Sequence, residues 1–372
     1  MATDPSADAF DAWLWDLEDE ALERLRLPDL ARAAWEEGGL ELPQLTFLTV
    51  VAQGDDVVDR LAQAARANTA SVRKTSSGGL IRNRMRQSEL VLSVWPSPEP
   101  GVHHLVASAP VTNSRWRRVE QTWLPRAAPA LTPIILNKAD FEAIGDALSE
   151  HGDVAVNRLT ARVVEDHSSY FRGWHGSEGR RQPTHRQALA ETRDMLVRTM
   201  SLRVADRLSV HLRRQAGATF YRGDYGLFVS VVLQRLTTAA GERRVLLSDR
   251  GRQAFEQLEE RLVMTVPPAA LDEQLDREEL LTAVGGLRHA QIAVFHRNPY
   301  LHFGVTDYLD GSNFDVVVDE NDRLSILPGF RASLGSLARI TDAIGDFTGM
   351  IQLTDEAIST EIPDSAFIGG GT

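Results

Sequence analysis

Basic side chains recur at alternate positions in one stretch near the middle of this 372-residue chain. Between residues 202 and 213 the even positions are apolar except at Asp206, and the odd positions carry most of the charge. The basic residues of the stretch are Arg203, Arg207, His211 and Arg213. Guanidinium groups bind phosphate and carboxylate oxygens in bidentate geometry. Because successive side chains of a strand point to opposite faces, the spacing predicts a strand with one apolar and one basic face.

The run that follows is predicted to complete a hairpin with this strand. Residues 217–236 contain Phe220 and Tyr221, then a turn signal at Gly223-Asp224, and then a nearly continuous apolar run. Apolar runs bounded by turn residues are typical of strands. We therefore expect a hairpin with an apolar floor and an arginine-lined face.

The same design is repeated earlier in the chain. Over residues 153–164, Arg158 and Arg162 alternate with apolar residues, which predicts another strand with a basic face. The stretch after it, residues 168–183, interleaves aromatic, glycine and arginine residues. Such a composition suits stacking on bases, and Trp174 is the predicted stacking residue. Simple anchoring of a loop by its aromatic rings is the alternative.

A second basic cluster lies in residues 71–88, which we expect to form a flexible loop. Its cationic side chains are Arg73, Lys74, Arg82, Arg84 and Arg86. They flank two serines and two glycines, and a basic loop with glycines can follow a phosphate backbone. It is not a Walker loop, because no Gly-Lys-Ser/Thr follows a strand here. A solvated loop without a ligand explains the composition equally well.

Metal-dependent chemistry has one candidate cluster in the C-terminal part. It consists of His296, His302, Asp307, Asp310 and Asp315. Imidazole and carboxylate groups are suitable ligands for a divalent cation. The spacing argues against a joint site, because His302 and Asp307 would point to opposite faces of one strand. Asp310 in Asp-Gly is typical of a turn.

Several other chemistries are excluded or lack a signature. The chain has no cysteine, so disulfides, thiolate metal sites and a cysteine nucleophile are excluded. No zinc-protease, hydrolase-elbow, Walker or dinucleotide fingerprint occurs, so no catalytic residue, metal or cofactor is predicted. No leader-like or membrane-spanning apolar segment is visible either, and we expect a cytoplasmic protein.

Charge is segregated along the chain, although the total is −12. Residues 1–45 contain 3 Arg and 12 Asp or Glu, residues 46–250 contain 29 Lys or Arg and 20 Asp or Glu, and residues 251–372 contain 8 Arg and 20 Asp or Glu. A basic middle therefore lies between two acidic ends. A local positive field attracts anionic ligands even when the net charge is negative.

The predicted fold class is α+β, in three parts. Residues 1–44 form an acidic helical hairpin, residues 45–265 a basic domain with a mixed or antiparallel sheet and packed helices, and residues 270–372 a smaller acidic domain with a four-stranded meander and helices. The hairpin is expected to pack on the main domain through its tryptophans. Alternatively, it docks another protein or covers the basic face as a mimic of phosphate.

These features together predict a non-catalytic nucleic-acid-binding protein, acting as a subunit or adaptor of a larger assembly. Phosphate contacts without base reading are expected, because arginines on strands and loops offer no recognition helix. The acidic ends would hold a protein partner or restrain the basic face. Two alternatives stay open: a scaffold whose charges are neutralised within the chain or by a second copy, and a metal-dependent hydrolase or nuclease that uses the C-terminal cluster.

Overall fold

The computed structural model describes residues 5–65, 70–76, 78–85, 88–163, 169–174, 182–192, 195–247, 261–265, 276–319, 323–329, 332–348 and 352–356. The chain folds into two compact units: Met1–Ser248 with Leu334–Met350, and Asp249–Ser333 with Ile351–Thr372. Each unit contains an antiparallel sheet and helices, so the predicted α+β class is confirmed. The predicted domain boundaries stay a prediction, because residues 266–275, around the second boundary, lie outside the described ranges.

Eleven strands form the antiparallel sheet of the first unit in the described part of the chain. In chain order they are β1 (Leu45–Ala52), β2 (Ala70–Thr75), β3 (Gly78–Met85), β4 (Ser88–Pro96), β5 (Val102–Ala107), β6 (Leu131–Pro133), β7 (Val154–Val163), β8 (Ser169–Gly173), β9 (Met195–Val204), β10 (Leu208–Arg213) and β11 (Gly217–Gly223). The spatial order is β2-β3-β4-β5-β1-β11-β10-β9-β7-β8, and β6 also pairs with β1.

The helices of the first unit fall into three groups along the chain. The N-terminal helices are α1 (Pro5–Asp16), α2 (Asp19–Arg24) and α3 (Leu30–Gly38), with a 3-10 turn at Leu27–Asp29. The middle helices are α4 (Val57–Ala64), α5 (Ser114–Arg118) and α6 (Leu124–Ala127), with a π-helical segment at Val119–Trp123 between the last two. The remaining helices are α7 (Lys138–Ser149), α8 (His185–Ala190), α9 (Tyr225–Leu227), α10 (Gln234–Leu247) and α12 (Leu334–Thr348). A π-helical segment at Phe228–Leu233 joins α9 to α10. Helix α11 (Arg277–Gly285) belongs to the second unit.

The large sheet has a core on each side, and the two cores differ in extent. We call one side of the sheet the covered face. Helices pack there on the strands that lie, in spatial order, from β3 through β1 and β10 to β7, and these helices are α1, α3, α7, α8 and the α9–α10 helix. The opposite side carries a smaller core in which α4, α5 and α6 pack on β3, β4, β5 and β1. Phe47 and Leu48, neighbours on β1, are both buried, one in each core. Helices therefore sandwich β3, β4, β5 and β1.

The N-terminal helices join the covered face through apolar side chains and one buried carboxyl group. Phe10 and Leu14 lie in the core, whereas Trp35, which was expected to pack inward, is 63% exposed. Ser108 Oγ donates a 2.6 Å hydrogen bond to Asp11 Oδ1. Burial raises the pKa of Asp11 to about 7, although the hydrogen bond from Ser108 and the charge of Arg115 act in the opposite direction.

The predicted hairpin around residues 201–236 is partly correct. Its first stretch is two strands, β9 and β10, separated by a turn in which Ala205 has a φ of +41°. β11 follows as predicted but ends at Gly223, and the apolar run beyond it is helical rather than extended. Asp224 caps this helix, because its Oδ1 accepts a hydrogen bond from the backbone N–H of Leu227 at 2.9 Å.

The second unit has its own antiparallel sheet of six strands in the described residues. They are β12 (Arg261–Thr265), β13 (Ala290–His296), β14 (Leu301–Asp307), β15 (Ser312–Val318), β16 (Leu324–Pro328) and β17 (Gln352–Glu356), in the order β13-β14-β15-β16-β12-β17. The predicted four-stranded meander is confirmed as β13 to β16. Helix α12, although it lies within the predicted C-terminal domain, belongs to the first unit and contacts β6 and α10 there.

None of the helices described is both long enough and apolar enough to span a membrane.

The buried carboxyl group of Asp11 predicts a pH dependence of stability. An acid whose pKa rises from 3.8 to about 7 on folding binds its proton more tightly in the native state. Its favourable contribution is complete below pH 3.8 and is lost as the pH rises to about 7. Asp11→Asn, which stays neutral, should therefore become more stable relative to the wild type between pH 4 and pH 8, by at most about 4 kcal/mol.

Urea unfolding at both pH values measures this difference in the free energy of unfolding. Asp16→Asn, which replaces an exposed carboxylate on the same helix, is the matched control and should show no such gain. A difference between Asp11→Asn and the wild type that does not change with pH would contradict the prediction.

Candidate nucleic-acid interface

Cross-strand register aligns polar side chains from several strands on the side opposite to the covered face. Arg158 on β7 is the partner of Ser201 on β9, and Ser201 is the partner of His211 on β10. Partners in antiparallel strands project to the same face of the sheet. The neighbouring row contains, in spatial order, Phe171, Thr160, Thr199 and Arg213.

Apart from Arg213, the residues of these rows belong to a surface that we call the open face. It is formed by Arg158, Thr160, Arg162, Phe171, Thr199, Ser201, Arg203, Ser209, His211, Tyr221 and Arg222. Each of these side chains is exposed or half-buried, whereas Leu159, Leu202 and Val210, their neighbours along the strands, are buried against the covered face. The period of two that was recognised in the sequence therefore separates apolar from basic side chains on β7, β9 and β10.

A β-bulge brings two adjacent side chains to one edge of the open face. Ser209 on β10 pairs with Arg222, and Val210 pairs with Phe220, so Tyr221 is an extra residue on β11. Bulges change the direction of a strand and of its side chains. Phe220 is buried on the covered face, while Tyr221 is 42% exposed and lies within reach of the charges of Arg158 and Arg213.

Arginine supplies the positive charge of the open face. Arg158, Arg203 and Arg222 are exposed, and none of the three forms an ion pair in the described part of the chain. No Asp or Glu is among the residues of the open face. Three exposed guanidinium groups without an ion-pair partner among the described residues create a local positive field on a chain whose formal charge is −12. Arg162, also on β7, is half-buried on the same face.

His211 lies within this surface as a neutral side chain. Its Nδ1 and Ser201 Oγ are 2.8 Å apart and share a hydrogen bond. Burial lowers the pKa of His211 to about 4, and the positive charges of Arg213 and Arg158 act in the same direction. The imidazole is therefore uncharged at neutral pH, and the charge of the open face comes from arginine alone.

Two aromatic rings on the open face are exposed to solvent. Phe171, at the outer strand β8, is 60% exposed, and Tyr221 lies on β11 at the other side of the surface. The guanidinium carbon of Arg158 lies 4.9 Å from the centre of the Phe171 ring, which is a cation–π contact. The open face thus combines cationic groups and π faces, the two elements that bind nucleic-acid strands.

Arg213, although predicted as a ligand residue, is a structural side chain. It is 8% exposed, forms an ion pair with Glu120 and donates a 3.2 Å hydrogen bond to the carbonyl oxygen of Phe47. Its guanidinium lies 5.5 Å from the ring centre of Trp116. Arg213 therefore links β10 to α5 and to the π-helical segment that follows α5, and Glu120 already neutralises its charge.

The basic cluster at the far end of the sheet is neutralised by the chain itself. Residues 71–88 are not one flexible loop, because most of them form β2, β3 and the start of β4. Arg73 donates hydrogen bonds to the carbonyl oxygens of Trp15 and Leu17 and pairs with Asp19 at 2.6 Å. This observation agrees with the alternative in which the acidic N-terminal helices cover basic groups.

The other cations of this cluster also have partners. Lys74 pairs with Asp59 at 2.6 Å, and Arg82 and Arg84 share Glu89. Arg82 also lies over the Trp15 ring, at 5.3 Å from its centre. Arg86 lies outside the described residues. These cations lie on β2 and β3, which β4, β5 and β1 separate from the open face.

Arg207 and Trp174, which were also predicted to bind nucleic acid, do not lie on the open face. Arg207 lies in the turn between β9 and β10, where it pairs with Asp224 at 3.0 Å and donates to the carbonyl oxygen of His151. Trp174 is half-buried and packs against the core of the covered face. It is therefore not available to stack on a base at the open face. Most of the rest of the predicted loop, residues 175–181, lies outside the described residues.

The predicted histidines and aspartates of the second unit do not form one cluster in the described residues, although His302 and Asp315 of this set lie close together. Asp307 is buried on the opposite side of β14 from His302, and Asp310 accepts a hydrogen bond from Ser312 N–H in a turn. His302 approaches Asp315 at 3.4 Å, and His296 packs on Tyr300. Within the described ranges, no group of three or more histidine, aspartate or glutamate side chains could hold a metal ion.

Sequence reasoning missed the aromatic residues and one arginine of the open face. Phe171 was assigned to a loop, whereas it lies on β8 as the partner of Thr160. Arg222 was not predicted as a ligand residue, and the bulge at Tyr221 was not expected. The adjacent aromatic residues Tyr170 and Phe171, a residue type that is enriched in strands, were the available signal for β8.

The chain matches no protein-family model and no curated protein. The function therefore has to be inferred from geometry and charge.

The position of Arg213 predicts a strict requirement for glycine at residue 217. A Cβ atom at Gly217 would lie 2.5 Å from Arg213 Nη2 and 2.7 Å from Cζ and Nε. The guanidinium is held by Glu120, Phe47 and Trp116, so it cannot move without breaking a buried ion pair. Gly217→Ala should therefore lower the free energy of unfolding by about 3–5 kcal/mol, the cost of breaking such a pair.

A double-mutant cycle with Arg213→Leu tests the cause, using chemical denaturation. The cost of Gly217→Ala should decrease when the guanidinium is absent. Gly285→Ala, whose new Cβ would meet nothing closer than 3.5 Å, is the control and should be almost neutral. Equal costs of Gly217→Ala with and without the Arg213→Leu substitution would show that the guanidinium is not the obstacle.

Proposed function

We propose that the open face binds nucleic acid through its phosphate groups, without reading the base sequence. The observation that carries the proposal is the group of three exposed guanidinium groups, Arg158, Arg203 and Arg222, none of which forms an ion pair with a carboxylate in the described residues. Arginine donates two parallel hydrogen bonds to a phosphate, and its charge persists at any physiological pH.

The contrast with the other end of the sheet supports this proposal. At β2–β4, each described cation of the predicted cluster has a carboxylate partner, as Arg73 has Asp19 and Lys74 has Asp59. In the described part of the open face, no such partner accompanies Arg203 or Arg222. Like charges on one surface repel each other, and a bound polyanion offsets this repulsion.

The dimensions of the open face suit a polymer better than a single anion. Four strand intervals separate β8 from β11, which amounts to about 19 Å at roughly 4.8 Å for each interval. Arg158, Arg203 and Arg222 lie on three different strands of this area, β7, β9 and β11. Positive groups spread over this area can contact several phosphates of one chain, as expected for contacts that set position rather than sequence preference.

A second candidate function is an interaction scaffold. It is favoured by the contact in which Arg73 binds Asp19 and two carbonyl groups of the N-terminal helices, because the same chemistry could join the open face to acidic helices of another copy. In this case Arg203→Glu would reduce self-association and leave nucleic-acid affinity at background. Sedimentation of both proteins, with and without an oligonucleotide, separates the two candidates.

Binding should depend strongly on salt. The logarithm of the affinity falls linearly with the logarithm of salt concentration, because each neutralised phosphate releases counterions. Arg203→Ala and Arg222→Ala should each weaken binding to all sequences about equally and reduce the salt slope by about 1. Fluorescence anisotropy between about 50 and 200 mM salt measures both effects.

The control is Arg235→Ala, which removes one exposed arginine from α10 and changes the net charge equally. Its slope and affinity should match the wild type. Absence of binding at low salt, or an affinity that does not change with salt, would refute the proposed function.

The neutral state of His211 predicts that it adds nothing to binding as the pH falls. A histidine whose pKa stays near the ordinary value of 6.5 would gain a positive charge between pH 8 and pH 5.5, but the pKa of His211 is lowered to about 4. His211→Gln and the wild type should therefore show the same change in affinity over this range. A gain at pH 5.5 that is confined to the wild type would mean that His211 is protonated there.

A further inference from the structure

Resting on the proposed function, we infer that the ligand of the open face is single-stranded nucleic acid, with bases stacked on Phe171 and Tyr221. Two rings are exposed on the arginine-bearing surface, Phe171 by 60% and Tyr221 by 42%. Exposed aromatic side chains beside cations provide both a surface for stacking on bases and contacts for the backbone.

The location of Phe171 supports a role in binding. Burying a phenylalanine ring is favourable, yet the β8 position leaves most of the ring in water. Its partner across the strands is Thr160, and Arg158 lies over the ring at 4.9 Å. The guanidinium thus holds the ring and remains exposed, so a phosphate and a base of the same nucleotide strand can bind next to each other.

Tyr221 provides the second ring through the bulge on β11. In a regular strand, side chains alternate between the two faces, so only one of the two residues after Phe220 would lie on the open face. The extra residue in the bulge allows both Tyr221 and Arg222 to lie there. The bulge places Tyr221 and Arg222 in succession, so a ring and a guanidinium again occur together. Each edge of the open face therefore combines an aromatic ring with an arginine.

A duplex cannot use this arrangement. The faces of its bases are covered by the neighbouring base pairs, so a ring on the surface of a sheet meets only the phosphates or the edges of the bases. In a single strand the base faces are accessible, and every base has one, which also explains binding without sequence preference. Arginine alone would bind duplex and single strand alike, and the two rings favour the single strand.

The spacing of the rings indicates that several nucleotides are bound. The strands β8 and β11 are about 19 Å apart across the sheet. A strand that stacks on both rings would cross β7, β9 and β10 between them and pass over Arg158 and Arg203. This path predicts a site of more than two nucleotides, comparable with the roughly 4–16 nucleotides that other stacking surfaces bind.

The test measures binding of the full chain to labelled oligothymidylate, oligouridylate and a DNA duplex of equal length by fluorescence anisotropy. The wild type should bind at least one of the single strands more tightly than the duplex. Phe171→Leu and Tyr221→Leu should each weaken binding to that single strand roughly 5- to 150-fold and leave duplex binding unchanged. DNA and RNA are distinguished by comparing the first two probes.

Phe295→Leu is the matched control, because Phe295 is also 60% exposed but lies in the second unit. It should bind like the wild type. Thermal melting of each variant shows that the fold is intact, as expected for exposed rings.

The outcomes separate this inference from the proposed function. Equal affinity for duplex and single strands, with losses in Arg203→Ala but not in Phe171→Leu or Tyr221→Leu, would overturn the single-strand inference and leave phosphate binding in place. No binding of any of the three probes at low salt would overturn both.

Discussion

Side chains alternate between the two faces of the large sheet, and this constraint decides which arginines can meet a ligand. On β7, β9 and β10 the apolar positions are fixed by the core of the covered face, where Leu159, Leu202 and Val210 are buried. A shift of one residue in the register would bury Arg158 or Arg203 without a partner, which is strongly unfavourable. The hydrophobic core therefore holds the arginines on the open face, and no specific contact between them is needed.

The two ends of the sheet show what happens to a cation when a carboxylate is near. At β2–β4, Arg73 is fixed by Asp19 and by carbonyl oxygens of the N-terminal helices, and the helices gain an attachment to the sheet. At the open face, Arg203 and Arg222 have no such partner in the described residues. Arg213 is intermediate, because it faces the open side but is bound by Glu120. The positive charge of the middle segment is therefore partly structural, whereas Arg158, Arg203 and Arg222 on β7, β9 and β11 are exposed and form no ion pair with a described residue.

The sequence allowed the alternating strands to be predicted, because a period of two is a local signal. Arg158, Arg162 and Arg203 were correctly expected on strands with an apolar opposite side. The helix after Gly223 was missed, because a continuous apolar run is compatible with a buried strand or a buried helix. Asp224, three residues before Leu227, was the capping signal that distinguishes the two.

The roles of Arg73 and Arg213 could not be predicted in the same way. Their partners Asp19 and Glu120 are 54 and 93 residues away in the chain, and no local pattern reports such pairs. The exposure of the ring of Phe171 likewise depends on β8 being the outer strand of the sheet. Long-range pairing and strand order, rather than local propensity, decide which predicted residues belong to the interface.

Chemical labelling with an arginine-specific dicarbonyl reagent, followed by mass spectrometry, tests the central claim most directly. In the free chain, Arg158, Arg203 and Arg222 should react, and Arg213 should not, because it is buried against Trp116 and Glu120. An added oligonucleotide should protect the first three and leave the labelling of Arg235 unchanged. If Arg203 and Arg222 fail to react in the free chain, or react equally with the ligand present, the open face is not the surface that binds nucleic acid.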